Sequence, residues 1–590
     1  MNTATESGKG KYNRFLLLVA GLGGLLYGVD VGIIAGALPY LEATSGLSGN
    51  QLSIIVAAVL LGSVISTLFA GLLADWFGRK PLMFVSGLLF VLSIPMIALA
   101  HGYGPLVMGR LLQGISAGLI GVVVPLYLAE CLGAANRGKG TGMFQWLLTL
   151  GIVVAAVVGY YFSLQVAAIE KINDPQKLFA FKDNAWRSIF WVSLPPGILF
   201  VIGSLLVAES PRWLYRKGKI AAARTALLRS RTEEQAETEL KEMGDIIAAE
   251  KAKSSTGTQA SDSLFSRKYV IPFVMACVIL ACNQATGVNS IIGYNATILI
   301  QAGLSDAHAH LGYVILTLVN FLVTMIGVAL VDKKGRKFLL SVGSAGIIVS
   351  LICTGLIFQK TEKLRVDVKD AVQTLVVSSN QTATVEFNAA TAATLLAGKG
   401  GTEPSTLVVI YSYGDFHAAS KVVRSDDIGA KIEINRDSCL PANTNKVAAF
   451  FQNPFADLEK SESAPLVIDH ALITPVPPES NGWLTAVCIF SFMAFFAMGP
   501  GVCVWLALSE LMPTRIRSNG MSVALLINQA VSTTIAAVFL PSVGQHGYGT
   551  MFFIFAGCTV VYFITAAFFL PETKGKTLEE IEAHFEGKKP

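Results

Sequence analysis

Residues 74–80 read ADWFGRK, and residues 331–337 read VDKKGRK. Both stretches place Asp, two spacer residues, Gly, Arg and Lys in the same order, and both directly follow a long apolar run. A charged signature that recurs in this setting indicates that the chain contains two related halves.

The composition indicates that the chain folds in a membrane rather than in water. Of 590 residues, 53% are apolar and 14% are charged, and the mean hydropathy is +0.57. Soluble domains carry roughly 25% charged residues, so this chain lies far outside that class. We therefore predict an all-α, multi-pass integral membrane protein with the lipid bilayer as its partner. The net charge of +5 is small, and nothing in its distribution predicts nucleic-acid binding.

Apolar runs give the number of membrane crossings. A helix that crosses about 30 Å of hydrocarbon needs about 20 apolar residues. Twelve such runs predict two six-helix halves, and they cover residues 15–38, 52–73, 82–100, 106–128, 140–162, 189–207, 269–300, 312–331, 338–358, 484–508, 520–540 and 551–570.

The basic residues predict the orientation. Lys and Arg concentrate in the loops that follow spans two, four, six, eight, ten and twelve. The short opposite loops contain few, except the loop between spans five and six with Lys171, Lys177 and Lys182. The positive-inside rule therefore predicts that both termini are cytoplasmic, in a cytoplasmic or plasma membrane. The predicted domains are an N-terminal half (1–208), a cytoplasmic helical linker (209–268), a C-terminal half (269–358 and 483–570), an extracytoplasmic insert (359–482) and a cytoplasmic tail (571–590).

Two long polar segments interrupt the spans. Residues 209–268 are rich in Arg, Lys, Glu and Ala, which predicts short helices with i,i+4 charge pairs. Residues 359–482 contain the alternating stretches RVDVK (365–369), TVEF (384–387) and KIEIN (431–435), which predict half-buried strands and a β-rich domain. Cys439 is the only cysteine of this insert, so the insert has no internal disulfide.

Other charged signatures also recur. Glu130 and Arg137 follow span four as Glu510 and Arg517 follow span ten, and carboxylates close spans six and twelve. We predict a cytoplasmic gating network that bridges neighbouring helices while this face is shut, because several weak pairs together can bias two states. The alternative is that these residues only anchor the orientation. The predicted members are Asp75, Arg79, Lys80, Glu130, Arg137, Glu209, Arg212, Asp332, Arg336, Lys337, Glu510, Arg517 and Glu572.

Six ordered motifs carry a family resemblance. They are the repeated Asp-x-x-Gly-Arg-Lys, ESPRWL (209–214), PLYLAE (125–130), NQATGVN (283–289), GPG with a later Trp and Ser-Glu (499–510), and PETKGKTLEE (571–580). Together they resemble the sugar porter branch of the major facilitator superfamily, and span ten is closest to the bacterial proton-coupled sugar symporters. The resemblance covers the chain except the insert. It implies the major facilitator fold, in which two halves rock about a central site.

The resemblance also implies a sugar site. Sugars present many hydroxyls and one apolar face, so amides and an aromatic plate suit them. Asn283 and Gly293 depart from the family pattern, in which a glutamine and an aromatic residue stand at these positions. The alternative role for the amides is interhelical hydrogen bonding, worth about 0.6 kcal/mol each. The candidate substrate-binding residues are Gln145, Asn283, Gln284, Asn289, Tyr294, Asn320, Phe496, Trp505 and Asn528.

Span one contains a carboxylate, Asp30, in mid-membrane. Such a group costs about 2.5–3.5 kcal/mol on the insertion scale and is functional by default. Its expected partner is Arg110 in span four, and the resemblance implies that this pair marks proton-coupled members. The alternative is a purely structural ion pair.

These observations predict a secondary active transporter that imports a hexose or pentose by proton symport through alternating access. The proton is the coupling ion, no cofactor or metal is expected, and the protein is expected to act as a monomer. The alternatives are an uncoupled facilitator, a proton-linked polyol or inositol transporter, and a non-transporting sugar sensor. An enzyme or ATP-driven pump is not expected, because no Gly-x4-Gly-Lys-Ser/Thr phosphate loop is present. The stretch DAHAH (306–310) is interpreted as a solvated outer loop rather than a metal site.

Overall fold

The computed structural model describes residues 2–132, 134–255, 267–396, 404–427, 429–440, 457–503, 511, 517–572 and 585. Within these ranges, eleven helices are long and apolar enough to cross a membrane. The last of them, Val523–Phe569, has 47 residues. At 1.5 Å per residue it is about 70 Å long, more than twice the hydrocarbon thickness. It breaks at Gly547, where φ is 85° and ψ is 164°, so it makes two crossings and the bundle has twelve.

The N-terminal half contains seven helices, two of which share one crossing. They are α1 (Asn2–Ser45), α2 (Gly49–Phe77), α3 (Arg79–Ala98), α4 (Tyr103–Cys131), α5 (Ala134–Glu170), α6 (Pro175–Trp191) and α7 (Leu194–Leu206). Together α6 and α7 form one apolar segment, Pro175–Leu206. The predicted start of span six, at residue 189, is wrong because the first turns of α6 are polar. Asp174 caps these turns by accepting hydrogen bonds from the backbone N–H groups of Gln176 and Lys177.

The described part of the linker contains three helices, α8 (Pro211–Arg216), α9 (Ile220–Leu228) and α10 (Glu233–Ser255). Arg224 of α9 pairs with Glu233 (2.7 Å) and Glu237 (2.6 Å) of α10. Arg231, which precedes α10, pairs with Glu239 at 2.6 Å. These charge pairs join different helices or turns, so the expected i,i+4 pairing within one helix is wrong for them.

The C-terminal half begins with α11 (Arg267–Ala285), α12 (Val288–Gly293), α13 (Asn295–Gln301), α14 (Asp306–Lys334) and α15 (Arg336–Glu362). The first three occupy the predicted span 269–300, which is therefore broken rather than continuous. After the insert, α19 (Glu479–Met498) and α20 (Arg517–Ile564) follow, and a π-helical turn covers Thr565–Phe569.

The insert between α15 and α19 forms a small β domain. In its described residues the strands are β1 (Val366–Asp367), β2 (Val376–Val377), β3 (Thr382–Glu386), β4 (Ser405–Tyr413), β5 (Phe416–Ala419), β6 (Val423–Arg424), β7 (Lys431–Ile434) and β8 (Leu466–Pro475), and the helices are α16 (Lys369–Gln373), α17 (Ala389–Leu395) and α18 (Leu458–Ser463). These strands form two antiparallel sheets with the orders β1-β8-β4-β5, with β6 also on β4, and β2-β3-β7. The apolar faces enclose a separate core that includes Val385, Tyr411, Phe416 and Ile434.

The two ends of the bundle carry different polar segments, and each end is named after its segment. The insert side carries residues 366–475, and the linker side carries α8 to α10. The halves contact each other on the insert side, where α14 packs against α1 and α5. The insert lies over the same end, since the Asn50 side chain at the start of α2 donates to the carbonyl of His417 (3.4 Å).

Candidate functional site

The break in span seven lies inside the motif NQATGVN. Gly287 adopts a left-handed conformation with a φ of 81°, which L side chains rarely adopt. A Cβ at this position would lie 2.4 Å from the Phe555 ring. Because the helix stops at Ala285 and restarts at Val288, the polar side chains on both sides of the break can turn toward α20.

Four polar side chains meet at this break, and we call them the amide cluster: Gln284, Asn289, Asn528 and Ser532. The Asn289 amide donates to Gln284 Oε1 (2.9 Å) and to Ser532 Oγ (2.7 Å). Gln284 Nε2 donates to Asn528 Oδ1 (3.2 Å), and Asn528 Nδ2 donates to the carbonyl of Leu280 (2.9 Å). Three of the predicted substrate residues are thus brought together on α11, α12 and α20.

The amide cluster combines anchored and accessible groups. Asn528 and Ser532 are buried, whereas Gln284 and Asn289 are only half-buried. Amides carry both donors and acceptors, so Gln284 and Asn289 can exchange their mutual bond for bonds to ligand hydroxyls. The buried partners would hold the side chains in place during this exchange.

Two other predicted residues of span seven lie apart from the amide cluster. The Asn283 amide is buried and points to the carbonyl of Pro500, at 3.5 Å. Tyr294 is fully buried, donates its hydroxyl to the carbonyl of Ala536 (3.1 Å) and stacks on Phe539 with ring centroids 4.8 Å apart. Both side chains pack span seven against neighbouring helices in this conformation.

Gln145 and Asn320 lie where α5 crosses α14. Gln145 is exposed, and the ring of the next residue, Trp146, lies 5.8 Å from the ring of Phe321. Asn320 is half-buried, and its Oδ1 lies 3.5 Å from Thr324 Oγ1. Both residues therefore lie next to a contact between the two halves.

Some of the remaining predicted residues are described by the structure, and the others lie outside the described residues. Phe496 of α19 is half-buried and stacks on Phe492 at 6.3 Å. Arg212 is exposed at the start of α8. Trp505 and Glu510 lie outside the described residues, as do the side chains of Arg137, Asp332 and Arg517.

Asp30 of α1 and Arg110 of α4 are both buried, with Oδ1 and Nη1 3.6 Å apart. Arg110 donates to Gln113 Oε1 (2.7 Å), and its guanidinium lies 5.7 Å from the Phe190 ring centre. Within the described part of the chain, neither carboxylate oxygen of Asp30 has a hydrogen-bond partner. An ion pair at this distance without hydrogen bonds only partly offsets the cost of burying the two charges.

A second buried arginine, Arg79, joins the linker-side ends of α2 and α4. Its Nη2 contacts Glu130 Oε1 (2.8 Å) and Asp75 Oδ1 (3.0 Å), and its Nη1 donates to the carbonyl of Ala74 (2.8 Å). The Ser210 hydroxyl donates to the other oxygen of Glu130. These contacts bridge neighbouring helices of the same half.

The repeated Gly-Arg-Lys motif forms the same turn in both halves. Gly78 has a φ of 102° and a ψ of 169°, and Gly335 has a φ of 87° and a ψ of 163°. The Glu209 carboxylate accepts from the backbone N–H groups of Arg79 (3.0 Å) and Lys80 (3.2 Å). In the other half, the Glu572 carboxylate accepts from the N–H groups of Arg336 (3.1 Å) and Lys337 (3.2 Å).

Each motif therefore caps the helix that follows it with a carboxylate from the end of its own half. Burial raises the pKa of Glu209, although hydrogen bonds from the N–H groups of Ser210, Lys80 and Arg79 act in the opposite direction. Arg79 thus belongs to the network through its backbone and its guanidinium, and Lys80 belongs to it through its backbone N–H group.

Sequence reasoning missed three partners of the predicted residues. Ser532 lies four residues after Asn528, Gln113 three after Arg110, and Ser210 one after Glu209. Helical spacing was a usable signal for the first two, since residues three and four apart share a helix face.

Similarity to known proteins shows the family of the chain. The family model described as "Sugar (and other) transporter" matches residues 16–378 and 466–585. The chain belongs to this family. The stretch between the two matched ranges, residues 379–465, lies within the insert.

The names of similar proteins indicate that they transport different solutes. The chain is 26% identical over 574 residues to the glucose transporter GlcP of Staphylococcus epidermidis, covering 97% of each. It is 27% identical over 577 residues to the human proton myo-inositol cotransporter, covering 96% of this chain and 81% of the relative.

Similarity to solved structures shows the fold of the chain. The xylose transporter XylE from E. coli, in a partially occluded inward open conformation, superposes with a TM-score of 0.63 at 20% identity. The match covers 96% of this chain and all of that one (100%). The predicted major facilitator fold of an integral, multi-pass membrane transporter is thereby confirmed.

Proposed function

We propose that this family member imports a monosaccharide, a hexose or a pentose, together with a proton by alternating access. The observation that carries the proposal is the buried Asp30–Arg110 pair, whose carboxylate lacks hydrogen bonds within the described residues. A carboxylate held in this way loses little when it takes up a proton.

The amide cluster is the proposed sugar site. Gln284 and Asn289 would bind sugar hydroxyls, while Asn528 and Ser532 orient them. Gln145 and Asn320 would contact the sugar from the crossing of α5 and α14. Trp505 would provide the aromatic plate for the apolar face of the sugar.

The proton step is assigned to Asp30. With Asp30 charged, its attraction to Arg110 holds α1 and α4 together and resists the inward-going step. A proton from outside neutralises Asp30, Arg110 keeps its bond to Gln113, and the loaded protein turns. Inward movement of one proton gains about 2.3 kcal/mol per 100 mV, which concentrates a neutral sugar roughly fifty-fold.

We assign the linker side to the cytoplasm and the insert side to the exterior, as the basic loops predict. In this orientation the halves touch at the outer end, so the conformation is closed to the outside. The two Gly-Arg-Lys turns hold the ends of neighbouring helices rigidly within each half. The charged network around these turns shifts the equilibrium between the outward-open and inward-open states.

A polyol is the second candidate substrate. The similarity to the human proton myo-inositol cotransporter covers 96% of this chain and favours this alternative. Polyols and sugars present the same hydroxyl chemistry to amides, so the site alone does not distinguish them.

Uptake into proteoliposomes tests the proposal. A panel of radiolabelled hexoses, pentoses and inositol identifies the substrate. Gln284→Ala and Trp505→Ala should each weaken its binding by about 1–3 kcal/mol, through unpaired polar groups and lost stacking. The control is Thr534→Ala, since Thr534 is exposed on the same helix as Ser532 and bonds only within that helix.

The outcomes are distinct. Unchanged affinity in both site variants would place the sugar elsewhere. Uptake of no member of the panel, with protein that is correctly folded and inserted, would contradict the monosaccharide proposal and leave a sensor as the remaining reading.

The insert is proposed as an accessory domain rather than part of the site. It leaves and re-enters the bundle at one end, so replacing residues 366–476 with a short flexible linker should preserve the bundle and sugar binding. Glu362 must remain, because it accepts from the backbone N–H groups of Tyr548 (2.6 Å) and Gly549 (3.3 Å) after the Gly547 break. A shortened protein that inserts but binds no sugar would contradict the accessory role.

A further inference from the structure

The stretch DAHAH (306–310) is not a solvated loop. Its residues form the first turns of α14, and the two histidines have opposite surroundings. His308 is 48% exposed and pairs with Glu479, whereas the His310 side chain is 0% exposed. The prediction of a solvated pair is therefore wrong for His310.

His310 lies in the contact between the two halves on the insert side, which we call the outer seam. Side chains of α14 one turn apart meet successive turns of α1. The contacts join Tyr40 Oη to Asp306 Oδ2 (2.7 Å), His310 Nε2 to the Gly36 carbonyl (3.2 Å) and Tyr313 Oη to the Gly32 carbonyl (3.0 Å).

Glycines of α1 and α5 lie beside the imidazole. Gly36 and Gly159 approach so closely that a Cβ on Gly36 would lie 2.9 Å from the Gly159 Cα. A Cβ on Gly159 would lie 3.4 Å from His310 Cδ2, which is van der Waals contact. The ring therefore packs where α1 and α5 approach each other closely.

Both ring nitrogens of His310 face acceptors. Nδ1 lies 2.9 Å from the carbonyl oxygen of Asp306 and 3.2 Å from its Oδ1, and Nε2 lies 3.2 Å from the carbonyl oxygen of Gly36. Carbonyls and an ionised carboxylate cannot donate, and a neutral imidazole has one N–H group. Only the doubly protonated ring can satisfy both contacts in a buried seam.

The charged and titratable groups around the ring lie on four helices, and the nearest charge, that of Asp306, favours the cation. On α1, the Tyr40 ring stacks on the imidazole with centroids 5.5 Å apart and planes 1° from parallel. On the helix of His310 itself, Asp306 supplies a negative charge. Two further charges act from a distance, since Lys182 of α6 interacts with Asp306 and Glu170 of α5 interacts with Tyr40.

We infer that His310 is a second proton-binding site of this transporter, separate from Asp30 and filled while the outer seam is closed. The inference rests on the proposed alternating access, in which the seam opens to admit sugar. Opening removes the Gly36 carbonyl and lets water reach the ring, so the proton leaves to the outside. His310 joins the halves, whereas Asp30 and Arg110 lie within one half.

Proton binding and closure of the seam are then linked. A proton bound ten times more tightly in the closed state shifts the balance of closed and open molecules up to tenfold toward closed in acid. External acid should therefore close the outer seam without any sugar and without Asp30.

The test measures the seam directly in an Asp30→Asn background, so that the other carboxylate cannot titrate. Spin labels at Ala43 of α1 and Lys360 of α15, both exposed on the insert side, report the distance between the halves. Between pH 8 and pH 5.5, the ratio of closed to open molecules should rise about tenfold in the parent. His310→Gln should abolish this rise, and His308→Gln should leave it unchanged.

A parent without pH dependence, or a His310→Gln variant that responds like the parent, would overturn the inference. If His310→Gln does not fold, Asp306→Asn should move the midpoint to lower pH because it removes the facing charge. Ring-15N-labelled histidine provides an independent readout, since one residue should show a doubly protonated ring at pH 7.5. A neutral His310 ring at that pH would contradict the proposal even if transport is proton-coupled.

Discussion

Two buried arginines of the N-terminal half each face a carboxylate, yet their surroundings differ. Arg79 lies 2.8 Å from Glu130, and both groups have further hydrogen-bond partners. Arg110 lies 3.6 Å from Asp30, and among the described residues no group donates a hydrogen bond to that carboxylate.

The difference shows how the same residue types can serve two purposes. A buried carboxylate whose two oxygens both accept hydrogen bonds, as those of Glu130 do, gains nothing from protonation, because the neutral acid would give up those bonds. A buried carboxylate without such bonds, as in Asp30, has a desolvation cost with little compensation, so its neutral acid form is accessible. Arg79–Glu130 is therefore expected to act as a structural clasp and Asp30–Arg110 as a switch.

The largest expected effect concerns the clasp. Arg79→Leu leaves Glu130 buried and uncompensated, which should lower the free energy of unfolding by about 3–5 kcal/mol. Arg110→Leu should cost less, because Asp30 can take up a proton and become neutral. Denaturant or thermal unfolding of the purified proteins in detergent measures both. Equal losses would remove the distinction between clasp and switch.

The next largest loss of stability is expected at the glycines of the two Gly-Arg-Lys turns. Gly78→Ala and Gly335→Ala combine a positive φ with a Cβ that would lie 2.3 Å from Glu209 Oε2 and 2.4 Å from Glu572 Oε2, respectively. Each should cost about 1–3 kcal/mol in the same unfolding experiment. Gly71→Ala is the matched control, because a Cβ there meets nothing within 4 Å, and it should not destabilise the helix. An alanine variant at Gly78 or Gly335 that is as stable as the parent would contradict the proposed rigidity of these turns.

A smaller effect is expected at Ser210. Its hydroxyl donates to Glu130 and accepts from the backbone N–H of Trp213 (3.2 Å) at the start of α8. Ser210→Ala removes a helix cap and one bond of the clasp, which should cost about 1–2 kcal/mol. A neutral result would show that Glu130 does not depend on this bond.

The smallest effect on stability is expected at the switch. Asp30→Asn keeps the shape of the side chain, removes a desolvated charge and breaks no hydrogen bond that Asp30 makes within the described residues. Its free energy of unfolding should stay within about 1 kcal/mol of the parent, since Arg110 retains Gln113. A loss as large as that of Arg79→Leu would make the pair structural.

The sequence predicted the features that depend on local pattern. Apolar runs gave twelve crossings, and the paired Gly-Arg-Lys motifs gave equivalent turns at Gly78 and Gly335. The family motif also placed Gln284 and Asn289 at one site with Asn528. Each of these signals lies in the residues themselves or in their spacing.

The features that depend on distant partners were not predictable. Hydropathy does not record that Gly287 has a left-handed conformation and packs close to the Phe555 ring, so the sequence predicts a continuous span seven. Polar character predicts that His310 is solvated, but its ring is buried against α1 and α5 of the other half, where it contacts the Gly36 carbonyl. Similarly, Tyr294 was expected to bind substrate, whereas its hydroxyl is occupied by a carbonyl of α20.

Accumulation of sugar against its gradient tests the central claim that Asp30 is the proton switch. The measurement compares parent and Asp30→Asn proteoliposomes under an imposed inward proton gradient, with an ionophore control and with sugar-for-sugar exchange followed in parallel. The parent should concentrate sugar and lose this ability with the ionophore, while Asp30→Asn should bind and exchange sugar without concentrating it. A parent that ignores the proton gradient, or an Asp30→Asn variant that still accumulates sugar, would contradict the account.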